Sequence, residues 1–159
     1  MPRRAGAEPL DLVLAAPDDI PRLHHQAALV HALTAACQRL RPGGLLLTPA
    51  LEPAELREMH AFATVPVTVD TSTWSAPLQV WDFSTGAHRE YTAQQLTLQR
   101  TGKGWQALEG ECVAHRIPTL REMTAALTEV GYLQAQRLSV ADTGLSIAVW
   151  AGVAPGRCA

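Results

Sequence analysis

The chain has 159 residues, 47% of them hydrophobic and 18% charged, with a formal net charge of −2. That length suits one domain able to bury a core, and the charge balance excludes a nucleic-acid footprint, since Lys103 is the only lysine and the arginines are scattered. No apolar run approaches the roughly 18 residues of a membrane span and Met1 to Ala16 lacks a signal-peptide pattern, so a cytoplasmic protein without membrane contact is expected.

Met1 to Pro9 reads as an irregular lead. Leu10 to Ala16 is near-continuously apolar, the pattern of a strand covered on both faces. Pro17 ends it. From His24 to Leu40, the residues Leu29, Leu33, Ala36 and Leu40 recur at helical spacing. Gly43 and Gly44 break that helix, and Leu45 to Thr48 is the next strand. Strand, helix and strand in this order make one βαβ crossover. Leu51 to Phe62 carries a weak helical pattern with Pro53 in its first turn.

The middle of the chain changes character. Val65 to Val69, Leu78 to Phe83, Arg89 to Gln99 and Trp105 to Ala114 read as strands, joined by turns at Asp82 to Gly86 and at Thr101 to Gly104. They form a half-solvated antiparallel layer spanning about residues 65–116. Thr119 and Glu122 then make a capping box for a helix that buries Leu120, Met123, Leu127 and Val130 and stops at Gly131. Tyr132 to Leu138 and Leu145 to Ala151 read as the last two strands. The expected core is Leu12, Val13, Leu14, Leu33, Leu45, Leu46, Leu47, Leu127, Ile147 and Val149. Cys37, Cys112 and Cys158 form no C-x-x-C and no disulfide framework, so reduced thiols are expected.

Several of these segments resemble, in order, the second half of a class I S-adenosylmethionine-dependent methyltransferase. Leu10-Asp11-Leu12-Val13-Leu14 is similar to that family's fourth strand, often F-D-x-V. Arg39-Leu40-Arg41-Pro42-Gly43-Gly44-Leu45-Leu46 is similar to the L-x-P-G-G-x-L-x segment entering its fifth strand. Thr119 to Met123 and Glu129 to Tyr132 are similar to its last helix, where T-x-x-E-L and A-G-F are usual. The resemblance covers Leu10 to about Val153. It implies an α/β fold: a partial Rossmann-like sheet of order 4-5-7-6 with an antiparallel β insertion that caps a small-molecule pocket. It implies a single methyltransferase-like domain over residues 1–159, transferring a methyl group from S-adenosylmethionine to nitrogen or oxygen of a small molecule. The rival expectation is a non-catalytic remnant or partner subunit.

The family's glycine-rich cofactor loop, of the G-x-G-x-G kind, has no counterpart in the sequence, nor has the acid that holds the cofactor ribose. An N-terminally truncated domain is therefore expected, with Met1 standing where an internal methionine of the family falls; the alternative is that Met1 is the true start of a stand-alone short protein. Its cofactor binding is expected to be weak or absent. Leu10 to Ala16 then becomes an open apolar edge, through which a homodimer or a complementing subunit would form.

The loop after the first strand lies where open α/β sheets bind ligands. The resemblance assigns cofactor contact there to Ala15, Ala16, Pro17, Ile20 and Leu23, and substrate contact to Asp18 and Asp19; the alternative is that these acids cap the next helix. His24 is a candidate general base, with a solvated cap-region histidine as the alternative, and no metal site is expected from His24, His25 and His31. Trp74, Trp81, Phe83, Tyr91 and Trp105 can line an aromatic pocket or simply pack, and Trp81, Tyr91 and His115 are the substrate candidates of the inserted layer. No G-x-S-x-G, Walker A, H-E-x-x-H or C-x-x-C motif supports a hydrolase, kinase or zinc enzyme.

Overall fold

The structure is a computed structural model that describes residues 8–16, 19–23, 25–55, 74–83 and 89–157. Its elements are β1 (Leu10–Leu14), α1 (Gln26–Arg39), β2 (Leu40–Pro49), β3 (Ser75–Asp82), β4 (Glu90–Thr101), β5 (Gly104–Arg116), α2 (Leu120–Val130), β6 (Leu133–Leu138), α3 (Val140–Thr143) and β7 (Val149–Val153). The chain divides into two units, Met1–Leu51 with Pro118–Ala159, and Glu52–Ile117.

The first unit is a four-stranded sheet of order β1-β2-β7-β6. β1 and β2 run parallel across the helix α1, and β2–β7 and β7–β6 are antiparallel. The order is the 4-5-7-6 that the resemblance implies, with β1 at the edge. Val13 stands opposite Leu46, Leu46 opposite Gly152 and Thr48 opposite Trp150, so these share one face. That face packs on α1 and α2 through Leu29, Leu33, Cys37, Met123, Ala126, Leu127 and Val130. The other face carries Leu12, Leu14, Leu45 and Leu47. Leu12 is 47% and Leu14 69% exposed, so two residues expected in the core lie bare on the edge strand. Leu45, Leu47, Val13 and Ile147 are half-buried, and Leu33, Leu46, Leu127 and Val149 are buried.

The Pro42-Gly43-Gly44 segment lies inside β2, where a turn was expected. α1 ends at Leu40, and Gly43 takes a left-handed φ of 77° that only glycine adopts freely. This kink lets Gly43 donate to Ala154 O and Gly44 O accept from Ala154 N, so the strand enters the sheet already paired. α2 is capped as the sequence indicates: Thr119 Oγ1 accepts from Glu122 N, Glu122 accepts from Thr119 N at 2.7 Å, and Gly131 is left-handed. Leu120, expected in the core, is 56% exposed: the buried face of α2 is made by Met123, Ala126, Leu127 and Val130, and Leu120 in the first turn lies off it. A second capping box, Ser139 with Asp142, starts the short α3. It holds the Asp142 carboxyl below the usual carboxylate range, chiefly through the Ser139 hydroxyl.

Cys37 is wholly buried and disulfide-bonded, which corrects the expectation of reduced thiols; Cys112 is free and exposed, and Cys158 lies outside the described residues.

The second unit is an antiparallel sheet of order β3-β4-β5. β4 and β5 form a long hairpin closed by Thr101 opposite Gly104, with one extra residue in β5 between the pairs Gln94–Cys112 and Leu96–Glu109. Pro53 to Glu55 make a helical turn, as expected of Pro53. The expected strand Val65 to Val69 and the rest of the Leu51 to Phe62 helix lie outside the described residues. Among the described residues, no helix is long and apolar enough to cross a membrane.

Candidate functional site

In the first unit the candidate residues gather just beyond β1. Ala15 N still bonds Leu47 O, extending the parallel pair by one residue. Ala16 N then donates to Asp19 Oδ2 at 2.8 Å, and Asp19 N returns a bond to Ala16 O. Asp19 therefore closes its own loop and does not cap α1. The cap of α1 is His25, whose side chain makes no capping bond. Ile20 and Pro21 are buried, Leu23 packs against the core, and Leu23 N bonds Ile20 O. Ile20 and Leu23 thus anchor the loop from beneath, while Ala16 and Asp19 are exposed. Pro17, Asp18 and His24 lie outside the described residues.

In the second unit β3, β4 and β5 bring Trp81, Phe83, Tyr91 and His115 together. Trp81 stands opposite Ala93 and Tyr91 opposite His115, so the cluster shares one sheet face. The Tyr91 ring lies 5.5 Å from Trp81, 5.1 Å from Phe83 and 4.9 Å from His115, all tilted. Tyr91 and His115 are each 1% exposed. His115 Nδ1 and the Tyr91 hydroxyl are hydrogen-bonded at 3.0 Å, which fixes the imidazole plane. Trp81 is half-buried and gives the cluster its outer wall. Arg89 of the same unit pairs with Glu52 at 2.8 Å and bonds Ile117 N through its carbonyl, tying down the strand ends beside the histidine. Trp74 and Trp105 sit at the far end of the sheet, so the five aromatics of the insertion do not make one wall. Trp150 is a core residue of β7. Among the described residues no group of three or more metal-ligating side chains occurs.

Similar structures account for nearly all of this chain. The structure of the amino pentose methyltransferase CalS10 from Micromonospora echinaspora, with S-adenosylmethionine bound, matches 95% of this chain and 60% of its own at TM-score 0.58 and 18% identity. The sugar N-methyltransferase KedS8 from Streptoalloteichus matches 96% of this chain and 58% of its own at TM-score 0.63 and 16% identity. A S-adenosylmethionine-dependent methyltransferase from Clostridium acetobutylicum matches 93% and 59% at TM-score 0.59 and 12% identity. The chain carries part of the class I methyltransferase fold. It spans about three fifths of the length of these methyltransferase structures. Family models and curated proteins give no match.

A methyltransferase fold implies S-adenosylmethionine. The loop after β1 does not fit the cofactor by itself. Its acid, Asp19, is turned onto Ala16 N, two of its apolar members are anchored in the core, and residues 1–159 contain no G-x-G-x-G cradle. These residues supply at most one wall of such a site.

Proposed function

We propose that this chain is the substrate-side part of a methyltransferase that uses S-adenosylmethionine to methylate nitrogen or oxygen of a small molecule. The reading is carried by one observation: 93% to 96% of the chain matches methyltransferase structures, sheet and inserted layer together. Two of those structures are of enzymes described as acting on sugars, which points to an amine or hydroxyl of a small polar molecule as the acceptor. Trp81, Tyr91 and His115 form the substrate wall in this reading. His115, oriented by Tyr91, is the group of this chain suited to take or hold the acceptor's proton. Most of the rate enhancement in such a transfer comes from proximity and alignment, which a rigid aromatic wall supplies. Cofactor contact in this reading is limited, in the first unit, to Ala15 and Ala16. A further polypeptide, or a second copy, meets the chain along the β1 edge.

Two measurements test this. Calorimetric titration of S-adenosylmethionine into residues 1–159 is expected to show no micromolar binding; micromolar affinity would mean a cofactor site built differently from the fold's usual one. Residues 8–159 joined to the part of the KedS8 chain that they do not match should transfer labelled methyl from S-adenosylmethionine to members of an amino-sugar panel. In that chimera His115→Gln should lower kcat/KM by about tenfold or more, the usual weight of one general base being about 10²–10⁴. A chimera that binds the cofactor yet methylates nothing, or ignores His115→Gln, would sink the proposal.

A further inference from the structure

At the turn end of the three-stranded sheet, Trp74 just ahead of β3, Arg100 of β4 and Trp105 of β5 form a row. Arg100 N donates to Trp74 O at 2.9 Å, and Arg100 stands directly opposite Trp105. The Arg100 guanidinium carbon lies 4.9 Å from the Trp74 ring centroid, a cation–π contact. Trp74 holds a φ of 49°, a left-handed conformation that costs a bulky residue energy and persists only where its surroundings impose it. Two contacts hold the residue there, the bond from Arg100 N and the stacked guanidinium. The turn itself is tied by Thr101 Oγ1 to Gly104 O and by Lys103 N to Thr101 Oγ1.

This row is open to solvent. Trp74 is 46% and Trp105 51% exposed, and Arg100 is exposed. Arg100 and Lys103 enter no ion pair among the described residues. Residues 99–108 contain two cations and no acid, in a chain whose net charge is −2. Among the described residues β5 is an edge strand, and its residues 104–108 are all exposed. An edge of this kind pairs readily with an extended chain. Of the two outer strands of this sheet, β3 carries Pro77, which cannot donate to a neighbour, whereas β5 has no proline.

We propose that the Trp74–Arg100–Trp105 row and the adjoining edge of β5 dock an extended acidic segment of a partner protein. The segment adds a strand along Gly104 to Leu108 by main-chain hydrogen bonds. Its carboxylates meet Arg100 and Lys103, and its aliphatic stems lie on the two indoles. A guanidinium already fixed on one indole loses little rotamer freedom when it binds a carboxylate bidentately. Tryptophan and arginine are also the residues that dominate interface energetics when they sit together. Two cations in a short row are few for an anionic membrane, and the indoles flank a charge where a lipid-inserting surface would be continuously apolar.

The test uses residues 1–159 and a fluorescein-labelled nonapeptide of alternating glutamate and valine. Anisotropy should show saturable binding, with amide exchange slowed along Gly104 to Leu108. Arg100→Glu should weaken that binding by about tenfold or more and create binding of the matching lysine–valine peptide. Trp105→Ala should weaken it with the thermal midpoint unchanged, since the side chain is half in solvent. Absence of saturable binding, or binding indifferent to Arg100→Glu, overturns the proposal. So does self-association of the free chain that Trp105→Ala abolishes, which assigns the row to a second copy. Binding to phosphatidylserine vesicles with the same residue dependence, without peptide binding, overturns it in favour of a lipid surface.

Discussion

Tyr132 joins three elements of the first unit, and its hydroxyl reports on that junction. The residue follows Gly131 at the end of α2, and its backbone N–H bonds Leu127 O. The ring packs over β7: a Cβ placed at Gly152 would meet Tyr132 Cδ1 at 3.1 Å. The hydroxyl donates to Leu33 O of α1 at 3.1 Å, and the side chain is buried. Burial pushes its pKa from 10.0 up to about 12. The sign follows from linkage: below pH 10 the hydroxyl is protonated in both folded and unfolded chains, and its full contribution is present. Between pH 10 and 12 the unfolded chain loses the proton first, so unfolding gains, up to about 1.4 kcal/mol per pH unit and less where water reaches the hydroxyl. Tyr132→Phe keeps the ring and removes both effects. At pH 7 the variant should be less stable by about 1 kcal/mol, the net worth of a neutral hydrogen bond. Above pH 10 the gap should close and then reverse as pH approaches 12. Urea unfolding followed by tryptophan fluorescence at about pH 7, 9, 10.5 and 11.5 measures it. A gap independent of pH would show that the hydroxyl is solvated, and the packing of α2 and β7 on α1 described above would be wrong.

Other substitutions probe the remaining features. Gly110→Ala would place a Cβ 2.7 Å from Gln95 O, so the β-bulge must shift; a loss of about 1–3 kcal/mol and a displaced His115 resonance in histidine NMR are expected, and an unchanged spectrum would contradict the register. Thr48 is wholly buried and its hydroxyl has no hydrogen-bond partner among the described residues, so Thr48→Val should be neutral or stabilising by about 1 kcal/mol in denaturant unfolding. The free chain is expected to sediment as a dimer or larger, and Leu12→Lys should shift it toward monomer; a monodisperse wild-type monomer would remove the β1 edge as the contact.

The sheet order and the caps were legible because each rests on local signals. The Thr119–Glu122 box, Gly131 and the apolar β1 and β2 runs each name their own structure, and the resemblance supplied their neighbours. The inner details of the site were less so. Tyr91 and His115 were legible singly, but their pairing depends on the bulge at Gly110 and Glu111. A regular hairpin closed at Thr101 and Gly104 would set Tyr91 opposite Ala114 and turn His115 to the other face. The clue was Gly110, a glycine in the middle of a strand pattern, where a bulge or close backbone approach is the physical expectation. The loop bond of Asp19 is not legible for a different reason: an acid ahead of a helix can cap that helix or close its own loop, and spacing alone does not separate the two.

The exposed leucines of β1 bear on the same question as the missing cradle. A parallel strand pair is ordinarily covered on both faces. Here α1 and α2 cover the face of Val13 and Leu46, while Leu12 and Leu14 on the other face stay in water. Fully covering a bare leucine is worth about 1.5–3 kcal/mol and these two are half to two-thirds bare, so the edge that lacks a neighbour among the described residues is a place where one would add stability. The loop that would touch a cofactor, Ala15 to Leu23, leaves the sheet from that same strand. In the proposed function, whatever polypeptide completes β1 therefore brings two things at once: the cover for the leucines and the backbone cradle that Asp19 and its loop do not provide.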